Sequence, residues 1–404
     1  MQPSTEQLQF YLGDESGIKE MANLPAEQPF SEGRIEFLNK VSMRLLSDKE
    51  AKVYPDVVTY AFWIRRANLE KMKREFCPGK RFRMGRGVVF HIAPSNVAVN
   101  YAYSFTVGFL LGNANLVRLP SRDFPQVEII NRAIQKTLDG EEGYKRWKSY
   151  LIFLRYERNK EINDYFSSIC DVRVIWGGDD TIREIRKSEL PPRATEITFA
   201  DRYSICIIEA SQYLKSSEKE QNKVALNFYN DTYLTDQNAC TSPRLICWRG
   251  ELEEIRQAKE YFWTKLWKVV SEKYEFQPVQ YVDKWTNVCL AAVAMDGIKV
   301  VQIKDNQIVR VQLEQLDVLV QEYRSHSGFF YEYDLKDIME LIPLCNTKLQ
   351  TIALLGNSEK LAPLIHSGVK GIDRVVKIGK TMEFGMIWDG YDLGERLTRE
   401  IRKV

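Results

Sequence analysis

The chain has few histidines and cysteines, and its positive and negative charges nearly balance. Only 3 of its 404 residues are histidines, and its 7 cysteines include no CxxC pair. We therefore expect neither a disulfide framework nor a zinc ribbon, and we expect a reducing cytoplasmic environment. The three histidines have no ligand partner at metal spacing, so no metal is expected. A formal net charge of +2 offers no general attraction to nucleic acid or to an anionic membrane.

The sequence also lacks a long hydrophobic run. Its most apolar stretch, residues 97–111, contains Asn100, Ser104 and Thr106 and is shorter than the roughly 20 apolar residues that span a bilayer. We predict a buried helix there and no membrane span. The N-terminus is acidic and has no basic segment followed by an apolar run, so a secretory signal is not expected.

Length and composition favour a soluble globular protein with two domains. Apolar residues make up 44% and charged residues 28% of the chain, and domains typically contain about 100–200 residues. Apolar residues recur at helical spacing within residues 34–76, including Phe62, Leu69, Met72 and Phe76, which predicts packed amphipathic helices. The preceding residues 31–34 contain few apolar side chains and predict an exposed link. Residues 77–80, Cys-Pro-Gly-Lys, predict a turn.

From residue 86 onward, short apolar runs alternate with helical segments. This pattern is typical of an α/β fold with a parallel sheet covered on both faces. Strands are predicted at 87–92, 116–119, 151–154 and 172–176, with helices at about 96–111, 123–138 and 161–168.

Polar motifs follow three of these strands. Because parallel strands end at one edge of a sheet, where ligands bind, the three motifs together predict a site for a nucleotide cofactor. Glycines allow a ligand to approach the backbone, and helix starts offer unpaired amides. The alternative for any single motif is a polar helix cap. The candidate cofactor-binding residues are Pro94, Ser95, Arg118, Ser121, Arg122, Gly177, Gly178 and Thr181.

A second block of alternating elements begins near residue 204 and contains Cys240. This cysteine lies in the polar segment 236–242, just before a predicted apolar strand at 245–248. Reactive cysteines need polar groups that stabilise a thiolate, whereas structural cysteines usually have apolar neighbours. Cys240 is therefore predicted to be a nucleophile, with an ordinary loop thiol as the alternative. Alternating residues such as 309–313 predict antiparallel strands at the edge of this domain.

Several segments, taken in order, carry a resemblance to a known family. They read HIAPSNV at 91–97, GNAN at 112–115, WGGDDTIR at 176–183, YNDTYLTDQNAC at 229–240, WDGYDL at 388–393 and LTR at 397–399. Together they resemble the LuxC-type acyl-CoA reductases of the aldehyde dehydrogenase superfamily, over residues 85–404. The resemblance implies a Rossmann-type cofactor domain with N-terminal helices in 1–203 and an α/β catalytic domain in 204–370. Residues 371–404 would return to the cofactor domain or form an oligomer interface.

The resemblance also implies a chemistry. Cys240 would accept the acyl group of a CoA thioester, NADPH would reduce it to the aldehyde, and Asn96 would donate to the oxyanion. The alternative role of Asn96 is a helix cap. Arg118, Ser121 and Arg122 would contact the adenosine ribose, and two guanidinium groups favour the 2′-phosphate of NADPH over NADH. Gly177, Gly178 and Thr181 would lie by the pyrophosphate or nicotinamide.

One departure from the superfamily concerns water. Hydrolytic aldehyde dehydrogenases carry a glutamate that activates water, and the corresponding stretch here is 201–205, DRYSI, without glutamate. Attack of water on the acyl-enzyme is therefore expected to be slow.

Other interpretations and partners stay open at this point. An acyl-cysteine transferase or thioesterase without nicotinamide, a non-acylating aldehyde dehydrogenase and a cofactor-binding scaffold are the alternatives. The acyl donor would be acyl-CoA or an acylated protein, with an acyl-protein synthetase as a further partner, and a homo-oligomer is expected. His91 is interpreted as a core residue. His326 either lies near the active cleft or has no role, and 328–331 either line an acyl channel or belong to the core.

Overall fold

The structure is a computed structural model that describes residues 7–76, 82–301 and 305–402. The chain divides into two compact units, Met1–Ala200 with Phe384–Val404, and Asp201–Glu383. The C-terminal part that joins the first unit thus begins at Phe384, later than residue 371. The turn predicted at 77–80 lies outside the described residues.

The helices and strands alternate along most of the chain. The α-helices are α1 Glu15–Met21, α2 Glu32–Ser47, α3 Pro55–Trp63, α4 Arg66–Phe76, α5 Asn100–Leu110, α6 Pro125–Gly140, α7 Lys160–Ile169, α8 Asp179–Ile185, α9 Ala210–Lys215, α10 Glu218–Thr232, α11 Leu252–Lys273, α12 Pro278–Ala294, α13 Ala362–His366 and α14 Leu393–Arg396. The strands are β1 Gln9–Leu12, β2 Phe82–Gly85, β3 Val88–Ile92, β4 Ala114–Arg118, β5 Leu151–Arg155, β6 Val172–Trp176, β7 Thr195–Phe199, β8 Tyr203–Glu209, β9 Pro243–Arg249, β10 Ile298–Val301, β11 Val309–Leu313, β12 Phe329–Leu335, β13 Leu349–Leu355, β14 Arg374–Lys377, β15 Ile387–Trp388, β16 Tyr391–Asp392 and β17 Thr398–Ile401. Short 3-10 helices lie at Ala51–Val53, Glu142–Tyr150, Tyr233–Thr235, Val318–Gln321, Ile338–Leu344 and Ser358–Leu361.

The first unit is built on a sheet in the order β1-β5-β4-β3-β6-β7. All neighbouring strands run parallel except β1, which is antiparallel to β5. Every residue of β3 and β6 is buried, as expected for strands that are covered on both faces. The four strands predicted from the sequence are confirmed, with boundaries that differ by at most two residues.

Two sequence predictions in this unit are wrong. Residues 31–34 are not an exposed link, because α2 begins at Glu32 and Arg34 is fully buried. The Arg34 guanidinium donates to the carbonyl oxygens of Phe109 and Asn113 and pairs with Glu27. These contacts compensate the burial of a charged side chain that the sequence predicted to be exposed. Phe62 was expected to pack but is 50% exposed.

The second unit is built on a sheet in the order β10-β11-β12-β9-β8-β13-β14. Only the β10–β11 pair is antiparallel; β11 joins β12 in parallel. The predicted strand at 309–313 and its position near the sheet edge are confirmed. Alternate residues of β8 pack on opposite faces, Ile205 and Ile207 in one apolar cluster, Cys206 and Ile208 in another.

The aromatic segment 328–331 belongs to this core. Phe329, Phe330 and Tyr331 are fully buried in β12, and they contribute to the clusters on both faces of the sheet. The core interpretation of this segment is therefore confirmed. Across the described ranges, the helices are all too short or too polar to cross a bilayer.

Candidate active site

The order of the parallel strands in the first sheet reverses between β3 and β6. Strands β4 and β5 lie on one side of β3, whereas β6 and β7 lie on the other. In open parallel sheets, ligands bind outside the carboxyl ends of the strands at such a reversal. The motif at 93–96 follows β3, and the motif at 177–181 follows β6. Two of the three predicted motifs therefore flank the reversal, and the third follows the adjacent β4.

The structure brings the motif after β3 into contact with the motif after β4. The hydroxyl oxygens of Ser95 and Ser121 lie 2.9 Å apart, and both side chains are exposed. Asn96 is exposed as well, in a bend. Helix α5 begins at Asn100 with Val99 as its N-cap, four residues later than predicted, because Pro94 and the polar residues after it form an irregular loop. Asn96 therefore does not cap α5, and its catalytic role stays a prediction.

The two candidate arginines differ in their surroundings. The Arg118 guanidinium donates to the carbonyl oxygen of Tyr156 at 3.3 Å and lies 4.4 Å from the centroid of its ring. Arg122 is exposed and lies 5.3 Å from the Phe124 ring centroid. Since Arg118 is held at the end of the sheet by Tyr156, the exposed Arg122 is the better placed of the two to bind a phosphate.

In the motif after β6, Gly178 leaves the backbone accessible. The amide of Gly177 donates to the carbonyl oxygen of Phe199, and Gly178 is the N-cap of α8. A Cβ atom at Gly178 would meet nothing within 4 Å. Thr181 is exposed one turn later. The exposed hydroxyl pair, the exposed Arg122 and this open backbone fit the phosphates and ribose of a dinucleotide.

His91 belongs to the core of the first unit. Its Nδ1 lies 2.8 Å from the Ser104 hydroxyl and its Nε2 lies 3.0 Å from the Asn115 side-chain oxygen. The same hydroxyl accepts from the Trp176 indole at 2.9 Å. Burial lowers the pKa of His91 to about 4, so the ring is neutral at neutral pH. The core interpretation is confirmed.

The loop that carries Cys240 is held by Gln237. Asp236 and Gln237 have left-handed backbones, with φ of 50° and 58°, a conformation that persists only where the surroundings enforce it. The buried Gln237 amide donates to the carbonyl oxygens of Pro243 and Phe329, each at 3.0 Å. Its oxygen accepts from the backbone amides of Gly328 and Phe329. Gln237 therefore ties the loop to β9 and β12.

Cys240 itself is partly buried at the end of this loop. Its carbonyl oxygen accepts a 2.6 Å hydrogen bond from the Ser204 hydroxyl, and the next residue, Thr241, contacts the Met382 sulfur at 3.1 Å. Cys170 and Cys345, by contrast, are buried, and burial raises the pKa of their thiols to about 12. The surroundings of Cys240 differ from those of a core thiol, as a nucleophile requires.

The stretch at 201–205 contains one carboxylate, and an arginine binds it. Both carboxylate oxygens of Asp201 accept from the Arg324 guanidinium, at 2.6 and 2.5 Å. Arg202 is paired with Asp373, and Ser204 is the residue bonded to Cys240. At the other end of β8, Glu209 pairs with Arg249 and Lys360, each at 3.0 Å.

Two further residues lie against the Cys240 loop. The His326 Nδ1 is 3.3 Å from the carbonyl oxygen of Gln237; partial burial, and then Arg244, lower the pKa of its ring. Arg244 is 3% exposed and donates to the carbonyl oxygen of Ser325 at 3.1 Å. His326 was a candidate from the sequence, whereas Arg244 was not. The signal for Arg244 was a cation inside the otherwise apolar strand that follows Cys240.

Comparison with known proteins gives both a family and a fold. The sequence profile of the family described as "Acyl-CoA reductase (LuxC)" matches residues 9–400. The protein named "Long-chain acyl-protein thioester reductase 2", from Photobacterium leiognathi, is 26% identical over 180 residues, which are 44% of this chain and 35% of that protein. The match thus spans about a third of the length of that relative.

Solved structures of aldehyde dehydrogenases have the same fold. Aldehyde dehydrogenase 21 from Physcomitrella patens, in complex with succinate, has a TM-score of 0.67 at 12% identity, over 96% of this chain and 88% of that chain. An NAD-dependent benzaldehyde dehydrogenase from Corynebacterium glutamicum has 0.61 at 12%, over 99% and 95%. A 3,6-anhydro-L-galactose dehydrogenase in complex with NAP has 0.61 at 11%, over 93% and 89%.

Proposed function

Because the chain belongs to the acyl-CoA reductase (LuxC) family, we propose that it reduces a fatty acyl thioester to the aldehyde with NADPH, through an acyl group on Cys240. The observation that carries the proposal is the state of Cys240. It is partly exposed in a polar loop whose backbone is held by Ser204 and Gln237, within an aldehyde dehydrogenase fold.

The first step takes place at the Cys240 sulfur. The thiolate attacks the carbonyl carbon of the acyl thioester, and the electron pair of the carbonyl moves to oxygen. When this oxyanion collapses, the C–S bond to the donor breaks, the donor leaves as a thiolate, and a thioester to Cys240 remains. The anchored loop holds the sulfur in one place, which lowers the entropic cost of the attack.

The second step reduces the thioester on Cys240. NADPH, when bound, would supply a hydride to the carbonyl carbon; the C–S bond to Cys240 then breaks, which releases the aldehyde and restores the Cys240 thiolate. We assign the contacts to its phosphates and ribose to Ser95, Ser121 and Arg122, together with the open backbone at Gly178. A guanidinium as exposed as that of Arg122 favours the 2′-phosphate and therefore NADPH over NADH.

Asn96 is our candidate for the side-chain donor to the oxyanion. Its amide is exposed and does not cap α5, so the structural alternative that the sequence left open no longer applies. Removal of one such donor typically costs about 3 kcal/mol of transition-state stabilisation, or a hundredfold or more in rate.

In this proposal, the choice between aldehyde and acid as the product depends on the surroundings of Asp201. A base that activates water would need a carboxylate able to accept a proton, but both Asp201 oxygens accept from Arg324. Oxygens that a guanidinium already occupies are not available to accept a proton from a water molecule. Water attack on the acyl-cysteine should therefore be slow, and reduction to the aldehyde should prevail over hydrolysis to the acid.

The acyl donor is either acyl-CoA or an acylated protein. The family description names acyl-CoA, whereas the relative from Photobacterium leiognathi is named for acyl-protein thioesters. An acyl-protein synthetase would supply the second kind of donor. Acyl transfer from such a synthetase to Cys240, followed by mass spectrometry, tests that partner, and the absence of transfer at high concentration counts against it.

The decisive test is NADPH consumption by the purified protein with acyl-CoA substrates of different chain lengths. Wild type and Cys240→Ala are compared, with NADH as the alternative cofactor. Consumption that needs both acyl-CoA and Cys240 supports the proposal and reveals the chain length. Acylation of Cys240 without NADPH oxidation would instead favour a transferase or thioesterase.

A further inference from the structure

Arg244 differs from the other deeply buried arginines in its partners. Three arginines within the described ranges are almost fully buried, Arg34, Arg173 and Arg244. Arg34 lies 3.1 Å from Glu27, and Arg173 lies 2.5 Å from Glu196. Across the described residues, Arg244 has no carboxylate within salt-bridge distance. A buried charge without a counter-charge is strongly unfavourable, so the lack of a permanent anion at Arg244 requires an explanation.

The hydrogen bonds of Arg244 are also incomplete. It is the second residue of β9, four residues after Cys240, and its Nη1 donates to the carbonyl oxygen of Ser325. Its Nε is buried and has no hydrogen-bond partner in the described part of the chain. Among the described residues, the charge of this guanidinium therefore has no carboxylate partner, and its Nε has no acceptor.

The titratable groups that face Arg244 leave one candidate anion. They are Arg324, Cys240, Tyr203 and Asp201, with His326 close by. Asp201 is already balanced by Arg324. Burial raises the pKa of Tyr203 well above its usual value, so this phenol is neutral. Cys240 is the remaining group whose ionised form would match the charge.

The electrostatics at Arg244 agree with this assignment. Burial and the neighbouring Arg324 lower the pKa of Arg244 to about 10, while Cys240 acts in the opposite direction. Arg244 is therefore still charged at neutral pH. The attraction is mutual, so a charged Arg244 favours the thiolate of Cys240.

We propose that Arg244 is the buried counter-cation of the Cys240 thiolate, a positioning residue that keeps this thiol ionised at neutral pH. The thiol proton is released to solvent, and the thiolate is the form that attacks a thioester. This inference rests on the proposed function only in what the thiolate is used for. The ionisation itself does not depend on substrate or cofactor.

The test is the pH dependence of alkylation by iodoacetamide, measured without substrate from about pH 5 to about pH 10. Peptide mass spectrometry gives separate rates for Cys240 and for the exposed Cys289, which serves as an internal reference. In wild type, Cys240 should titrate at least about one pH unit below Cys289. In Arg244→Gln, its rate near neutral pH should fall about tenfold or more, because one unit is a tenfold change. Arg244→Lys should retain most of the rate.

The matched control is Arg173→Gln, which removes an equally buried arginine from the other unit and should leave the Cys240 profile unchanged. The proposal is overturned if Cys240 titrates like Cys289 in wild type, or if Arg244→Gln leaves its profile as it was. Should Arg244→Gln not fold, wild type and Arg244→Lys decide. If the shift is present but no thioester drives NADPH oxidation, the proposed function fails and this inference stands.

Discussion

The hydroxyl of Ser204 donates a 2.6 Å hydrogen bond to the carbonyl oxygen of Cys240. The bond joins the second residue of β8 to the loop before β9. Strands β8 and β9 are parallel neighbours in the sheet. It lies in the stretch that the resemblance to aldehyde dehydrogenases predicts to correspond to the glutamate segment of the hydrolytic enzymes. In this protein the stretch supports the backbone of the cysteine, and its one carboxylate is bound by an arginine.

Ser204→Ala should destabilise the protein and slow the reaction at Cys240. It leaves a carbonyl without its donor, which costs about 1–3 kcal/mol of unfolding free energy. Urea unfolding measures the loss of unfolding free energy. The rate of Cys240 alkylation, which should fall, measures the effect on the cysteine. The control is Ser42→Ala, which removes an equally short bond to the Ala61 carbonyl in the other unit. It should cost similar stability and leave alkylation unchanged; an effect on alkylation as large as that of Ser204→Ala contradicts the prediction.

Arg122→Ala should weaken the use of NADPH without weakening that of NADH. A charge-assisted hydrogen bond is worth about 1.5–3 kcal/mol, so the KM for NADPH should rise about tenfold to a hundredfold. Steady-state kinetics with both cofactors measures the ratio. Arg193→Ala, an exposed arginine of the same unit, is the control. Equal losses with NADPH and NADH would exclude a contact to the 2′-phosphate.

Arg324→Gln should increase the release of acid at the expense of aldehyde. It removes the guanidinium from which both Asp201 oxygens accept, so these oxygens become available to a water molecule. The ratio of acid to aldehyde, measured by gas chromatography, should increase several-fold, and the double variant with Asp201→Asn should return it to the wild-type ratio. Arg202→Gln, which breaks the neighbouring pair with Asp373, is the control. An unchanged ratio in Arg324→Gln would remove Asp201 from the account of product choice.

His91 should make the stability of the first unit depend on pH. Its pKa is lowered to about 4 in the folded protein, against about 6.5 when unfolded, so the unfolded state binds more protons between these values. Stability from this group is present above about pH 6.5 and decreases as the pH falls towards 4, by about 3 kcal/mol in all. Urea unfolding across this range should show a smaller pH dependence in His91→Gln than in wild type. His366→Gln, an exposed histidine, should behave as wild type; identical slopes in all three proteins would disprove the prediction.

The local pattern of the sequence was sufficient to predict the parallel sheet of the first unit. Its strands are continuous apolar runs because both faces are covered, and that pattern is readable residue by residue. The places of the Cys240 loop and of the motifs after β3, β4 and β6 could also be predicted from the sequence, whereas the roles of their residues stay predictions. The family resemblance was also a property of order along the chain, and the profile match over residues 9–400 confirms it.

Only the tertiary structure decided which of these residues have partners. The burial of Arg34 depends on carbonyl groups more than 70 residues away, and the four bonds of Gln237 depend on β9 and on the start of β12. Arg244 looks like any cation in the sequence. Its proposed role depends on the absence of a carboxylate beside it in the described part of the chain, and on the nearby Cys240. Hydrogen bonds and charge pairs between distant segments form only when the chain folds, and no local periodicity encodes them.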